Sequence, residues 1–123
     1  MRVAEFLERP AERIGETCGP DRPLHQSLYG ALLASVPAPV LRALRERLLG
    51  PLREYDDRHH ADLLLTLQEF LDCDGSWSAC AARMYLHVNT VRYRISRIEA
   101  LTGRDLSALA DRVDFFLALA AGA

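Results

Sequence analysis

Apolar residues recur along this chain with a period near 3.6, and no segment shows convincing period-2 alternation of β-branched residues. The pattern therefore predicts an all-α fold, with Gly and Pro as punctuation. Residues 1–23 are weakly patterned and read as a short helix followed by a linker. A helix is expected over about 24–35, with Leu24, Leu28, Leu32 and Leu33 on one side. Pro37 and Pro39 end it, and Pro39 suits the first turn of a second helix that carries Val40, Leu41, Leu44, Leu48 and Leu49. Gly50-Pro51 reads as its stop, followed by a turn through Tyr55-Asp56-Asp57. A strong helix then spans about 59–72 on Leu63, Leu64, Leu67, Phe70 and Leu71. Asp74-Gly75 breaks it, and Ser76 or Ser78 caps the next, which runs to about Met84. Helices over about 88–101 and 107–121 complete the chain, the last with Leu109, Val113, Phe116, Leu117 and Ala120 as its stripe. The expected division falls near residue 50: an appended helical arm over 1–50, the remnant of a preceding region, and a compact five-helix unit over 51–123.

Composition narrows the possibilities. The 123 residues are 50% hydrophobic and 26% charged, which suits one folded domain and excludes a disordered polyelectrolyte. No apolar run approaches the roughly 20 residues of a membrane span. The first residues carry Glu5, Glu8 and Glu12 rather than an apolar stretch, so no secretory or transit signal is expected and the cytoplasm is the expected compartment. Cys18, Cys73 and Cys80 are an odd set, in keeping with reduced thiols. Cys73 and Cys80 lack zinc-knuckle spacing. His59 and His60, being adjacent, would point about 100° apart on a helix. No metal, cofactor or small-molecule site is expected. All 15 basic residues are Arg, a bias of the whole chain that supports no single site.

The net charge of −2 argues against a nucleic-acid partner until it is divided by position. Between Arg83 and Arg104 stand five arginines and one acid, Glu99, so that window carries about +4 and the remainder about −6. The basic window overlaps residues 76–98, SWSACAARMYLHVNTVRYRISRI. Here a short helix, a three-residue turn and a longer Arg-rich helix follow one another, which is a helix-turn-helix arrangement. Ala81 and Ala82 are small enough for the helix crossing; Ala79, Cys80 and Met84 offer an inner face for the first helix, and Leu86 anchors the turn. Val91, Ile95 and Ile98 give the second helix an inward stripe. Asn89, Tyr93 and Arg97 then lie roughly opposite, with Thr90 and Arg94 on one flank and Arg92 on the other.

The residue types suggest roles. An Asn pairs bidentately with adenine and an Arg with guanine. Asn89 sits near the start of the helix, where base edges come within reach, and Arg92 and Tyr93 follow. Thr90, Arg94 and Arg97 suit phosphates, which set register rather than sequence. Ser78 and Arg83 are candidates for backbone contact from the first helix. Structural roles stand beside these: His87 or Asn89 as a helix cap, Tyr93 packed on a neighbouring helix, and the arginines as a solvated face.

LLGPLREYD (48–56), DLLLTLQEFLD (62–72) and ARMYLHVNTVRYRISRIEALTGRDL (82–106) together resemble the C-terminal helix-turn-helix domain of the PucR/CdaR family of bacterial transcription regulators. The likeness covers about 48–121. Its most specific pieces are His87-x-Asn89-Thr90-x-Arg92-Tyr93-Arg94 and Ile98-Glu99-x-Leu101-Thr102-Gly103. It implies DNA recognition by the helix at 88–101, through Asn89, Thr90, Arg92, Tyr93 and Arg94. The family pattern usually has Arg where Val88 stands, so one candidate DNA contact is absent. A looser likeness to the Fis-type helix-turn-helix implies a homodimer. Family members are normally longer, with sensory regions ahead of this domain. On that resemblance residues 24–50 look like the tail of such a region, and the chain is either an excised C-terminal piece or a shortened regulator.

Two functions remain in view. One is a sequence-specific regulator binding double-stranded DNA as a dimer. The other is a helical interaction or dimerisation module without DNA binding, suggested by Leu65, which faces away from the main stripe of its helix. A redox switch through Cys73 and Cys80 stands beside the commoner reading of buried structural thiols. An enzyme is not expected. The chain has no Gly-rich phosphate loop, no nucleophile with a base partner and no carboxylate pair set among apolar positions. The Asp56/Asp57/His59/His60 cluster reads as a solvated helix start.

Overall fold

The computed structural model describes residues 27–122, in which six helices and no strands occur. They are α1 (Leu28–Ala34), α2 (Ala38–His59), α3 (Leu63–Asp72), α4 (Trp77–Met84), α5 (Val88–Thr102) and α6 (Leu109–Ala121). The short helix and linker expected over 1–23 lie outside the described residues, as do Leu24 and Cys18. The chain divides into two compact units, the first ending at Arg42 and the second running from Ala43.

In the first unit, Ser27 caps α1 by accepting the Gly30 N–H at 3.1 Å. Gly30 and Ala31 are its buried residues, whereas Leu28 and Leu32 of the expected stripe are exposed. Small residues, not the leucines, make up the buried part of this helix.

The Gly50-Pro51 stop is absent: α2 runs unbroken from Ala38 to His59 with Pro51 inside it. An interior proline forfeits one backbone bond and costs about 3 kcal/mol. Leu49 and Leu52 on either side are fully buried, each contributing about 1.5–3 kcal/mol, so continuing the helix is favoured. The weak point is also braced, because Arg53 donates to both carboxylate oxygens of Glu46 across it. A Cβ at Gly50 would stand 3.1 Å from that carboxylate, so glycine leaves the brace its path.

The turn expected at Tyr55-Asp56-Asp57 is helical for the same reason, and the next helix begins at Leu63 rather than near 59. The reversal is made in 60–62, where His60 (φ 50°) and Asp62 (φ 54°) both take the left-handed conformation. Asp62 makes no side-chain cap. The Asp56 carboxylate does so from the end of α2, accepting the N–H groups of Leu63 (2.7 Å) and Leu64 (3.0 Å). Its charge sits at the positive end of α3, where it is favourable.

Helix α3 is the centre of the second unit, packing on α4, α5 and α6. Leu63, Leu67 and Phe70 are buried as the periodicity predicts, Leu64 and Leu71 are partly buried, and Leu65 is exposed. Leu49, Leu52, Cys80, Val91, Ile95, Ile98, Leu106 and Phe115 complete the core around them.

The last helix is rotated from its expected orientation. Phe115 is its buried anchor, with Ala118 and Leu119 packed beside it, whereas Leu109 (68% exposed), Val113 and Phe116 reach the surface. The cause is the α5–α6 corner. Arg112 donates to the Leu106 carbonyl (2.9 Å), Asp111 accepts the Asp105 N–H (2.8 Å), and Arg104 pairs with Asp111 and Asp114. Those bonds hold Asp111 and Arg112 on the inner side, a side that charges alone mark as solvated.

Candidate nucleic-acid interface

Helices α4 and α5 with the 85–87 turn form the helix-turn-helix. The Ser76 hydroxyl caps α4 by accepting the Ala79 N–H (3.2 Å), and it lies 3.5 Å from the Ser78 hydroxyl. Ser78 itself is exposed. Cys80 and Ala81 are buried at the crossing, Met84 is half-buried, and Ala79 and Ala82 face outward. Burial pushes the Cys80 thiol up, away from thiolate character. At the turn, Tyr85 (φ 57°) reverses the chain, so that Leu86 N–H reaches the Ala81 carbonyl at 2.9 Å and the Leu86 side chain meets the core.

His87 is the cap of α5. Its Nδ1 accepts the Asn89 N–H at 3.0 Å, which requires an unprotonated Nδ1. Capping by His87 leaves the Asn89 side chain exposed at the second position of the helix. Val91, Ile95 and Ile98 are fully buried, which fixes the rotation of α5. Gly103 (φ 71°) ends it by donating to the Glu99 carbonyl, and the Glu99 carboxylate accepts the Leu106 N–H at 2.8 Å.

The five arginines of the basic window divide by partner. Arg83 on α4 pairs with Glu69 of α3 at 2.9 Å, and Arg104 pairs with Asp111 and Asp114. Acids brought in by the fold thus offset two of the five positive charges. Arg92, Arg94 and Arg97, all on α5, have no acidic partner among the described residues. Even these differ. Arg94 is half-buried and donates to Thr66 Oγ1 (3.1 Å); Thr66 is fully buried and itself donates to the Asp62 carbonyl (2.7 Å). Arg97 is half-buried, donates to the Tyr93 hydroxyl (3.0 Å) and stacks over the Tyr93 and Tyr55 rings. Arg92 is exposed and lies 5.5 Å from the centre of the Trp77 ring, which in turn meets Phe70.

Of the nine candidate residues, the fold therefore gathers Asn89, Arg92 and Tyr93 on the exposed face of α5, with Ser78 exposed on α4. It commits His87 to a cap, half-buries Thr90, and ties Arg83, Arg94 and Arg97 to neighbours. Trp77, Tyr55, Thr66 and Glu69 belong to the same constellation but carry no motif of their own. An aromatic or acid in a flanking helix is the only trace they leave in the sequence. Among the described residues no group of three His, Cys, Asp or Glu side chains is placed to hold a metal, and no helix is long and apolar enough to cross a membrane.

Comparison with known proteins places a helix-turn-helix domain in the same segment. Residues 63–121 match the model of the PucR C-terminal helix-turn-helix domain. An uncharacterized protein of Thermomonospora curvata is 45% identical over 78 residues, covering 63% of this chain and 43% of that protein. The transcriptional activator PmfR of Paenarthrobacter nicotinovorans is 38% identical over 79 residues, 64% of this chain and 17% of that protein. The DNA-binding transcriptional activator AdeR of Bacillus subtilis is 29% identical over 69 residues, 56% of this chain and 16% of that protein. The chain thus spans less than half the length of these relatives. No solved structure matches it. The boundaries of the matched segment enclose α3 to α6, and residues 63–121 belong to the PucR C-terminal helix-turn-helix domain family.

Proposed function

We propose that this chain is a sequence-specific DNA-binding transcription regulator that reads the major groove with α5 and acts as a homodimer in the bacterial cytoplasm. The DNA-binding role is assigned to residues 51–123, with 1–50 as an appended helical piece, although α2 crosses that junction. The single observation that carries the reading is the outer face of α5: Asn89, Arg92 and Tyr93 stand exposed on a helix whose inner stripe is locked in the core. Two relatives named as transcriptional activators support it. Asn89 and Arg92 are the base-reading side chains, because both are polar and exposed near the helix start. Ser78, Arg83, His87, Thr90 and Arg94 border them as backbone-contact candidates, and Arg97 stands beside them bonded to Tyr93. The reading assigns the chain no catalysis and no cofactor.

Selection of bound sequences from a random double-stranded pool tests this reading. Asn89→Ala with Arg92→Ala should weaken binding to the selected sequence at least tenfold, since each bidentate base pair contributes about 1–3 kcal/mol. Both side chains are exposed, so the fold should survive. Unchanged affinity in that double variant would sink the assignment. The exposed Leu65 and Leu109 favour a second reading, a helical dimerisation module without DNA binding. A dimer that shifts no DNA at moderate salt would establish it instead.

A further inference from the structure

Arg97 is the most heavily engaged arginine of α5. Its guanidinium carbon lies 5.7 Å from the centre of the Tyr55 ring and 5.5 Å from that of Tyr93. Its Nη2 donates to the Tyr93 hydroxyl at 3.0 Å, and its Nε is buried without a hydrogen bond. Tyr55 reaches this place from α2, where its ring rests against His59 (4.3 Å between centres) and the core. The order is therefore His59, Tyr55, Arg97, Tyr93, from the end of α2 to the outer face of α5. Tyr93 is 60% exposed, and its hydroxyl oxygen is already accepting. The Tyr55 hydroxyl also bonds to it, so Tyr93 accepts from both neighbours and its own O–H proton is available for a further acceptor. A hydroxyl that accepts from a cation is a stronger donor, because hydrogen bonds in a chain polarise one another. The Tyr93 phenol is accordingly held below the ordinary tyrosine range, chiefly by the bond from Arg97.

We propose that Tyr55 and Arg97 are positioning residues that hold the Tyr93 hydroxyl as a directed donor to an acceptor oxygen or nitrogen of DNA, and that Arg97 is not itself a phosphate contact. The proposal rests on the DNA-binding reading above and deepens it. A guanidinium held over two rings and bonded to one of their hydroxyls is committed to both. It gives up the freedom to follow a phosphate, and the neutral phenol becomes the contacting group.

Counterion release separates the two roles. Each phosphate neutralised by an arginine steepens the dependence of log K on log salt by about 0.9, whereas a neutral phenol contributes nothing to that slope. The experiment uses the whole chain on the DNA fragment it selects. Tyr93→Phe should weaken binding about tenfold, the worth of one hydrogen bond to a charged group, with the salt slope unchanged. Arg97→Gln should weaken binding similarly, again with an unchanged slope, and should add little on the Tyr93→Phe background. Tyr55→Leu should behave like Arg97→Gln, and Tyr55→Phe, which keeps the ring but loses the hydroxyl bond to Tyr93, should recover part of the affinity. A slope reduced by about one contact in Arg97→Gln overturns the proposal. So do additive losses in the Arg97→Gln/Tyr93→Phe pair, or full affinity in Tyr93→Phe. Should Tyr55→Leu fail to fold, the Arg97 and Tyr93 variants decide alone. Failure of the wild-type chain to select any DNA is a distinct outcome, and removes the DNA-binding reading together with this one.

Discussion

Arg92 lies over the Trp77 ring, and that ring is held against Phe70 of the core. The side chain best placed to read a base is thus pre-oriented by an aromatic residue fifteen positions earlier in the sequence. Exposed cation–π contacts contribute about 0.5–1 kcal/mol. If that energy restricts Arg92 to its reading conformation, Trp77→Leu should weaken specific binding about two- to fivefold, and Trp77→Phe should recover most of the loss. The check is affinity for the selected site beside a thermal melt. A fall in stability with unchanged affinity would make Trp77 a packing residue only. At this scale the sequence was informative about which residues cluster and poor about their partners. Asn89, Arg92 and Tyr93 are exposed because Val91, Ile95 and Ile98 are inside, and the helical period states both facts together. That Arg94 turns to Thr66 and Arg97 to Tyr55 depends on helices brought alongside from elsewhere in the chain. No local spacing encodes such a meeting.

Elements show the same division between local and tertiary causes. The ends of α4 and α5 were legible because their signals are local: Ser76 before α4, His87 before α5 and Gly103 after it. The continuous α2 was not, because Gly50-Pro51 is a local stop overridden by burial of Leu49 and Leu52. If burial holds α2 together against its proline, removing the proline should strengthen it. Pro51→Ala restores an N–H to the helix while giving the unfolded chain about 0.4–1 kcal/mol more freedom. The expected net gain is about 2–2.6 kcal/mol in urea unfolding; a loss would mean that the proline ring itself is needed in the packing. The α5–α6 corner allows a pH test. The Asp105 carboxylate accepts from the Ser107 N–H (2.9 Å) and hydroxyl (2.6 Å), and these bonds hold it below the usual aspartate range. A depressed carboxylate contributes stability above its unfolded value and loses it as pH falls through the folded one. The corner should therefore keep its bonds at neutral pH and begin to loosen only in strong acid. NMR titration of Asp105 in the wild type and in Ser107→Ala should show the midpoint rising toward the ordinary value in the variant.

For the whole molecule, the decisive quantity is how much positive charge remains after folding. The window from Arg83 to Arg104 carries about +4 in the sequence, yet Arg83 and Arg104 are paired with acids. Arg94 and Arg97 are engaged with Thr66, Tyr55 and Tyr93, which leaves Arg92, resting over Trp77, as the α5 arginine without a hydrogen bond or ion pair among the described residues. With Arg92 assigned to a base edge, one protomer therefore offers one or two arginines, the partly engaged Arg83 and Arg94, to phosphates, against the six to ten contacts of strongly salt-dependent binders. With a slope near −0.9 per contact, a monomer should show only about −1 to −2, and its affinity should be poor. A dimer on two half-sites one DNA turn apart doubles the contacts and the slope, to about −2 to −4. The prediction is a selected site with two-fold symmetry, half-sites about 10 base pairs apart, and a measured slope in that range. A slope near −1 on an asymmetric site would show a monomeric reader. A slope steeper than about −5 would show that arginines outside α5, such as Arg42, Arg47 or Arg58 along α2, also meet the backbone. Fluorescence anisotropy between 50 and 200 mM salt distinguishes them, since affinity over that span should fall by about four- to sixteenfold for the monomer, by about sixteen- to 250-fold for the dimer, and by about a thousandfold or more at the steepest slope.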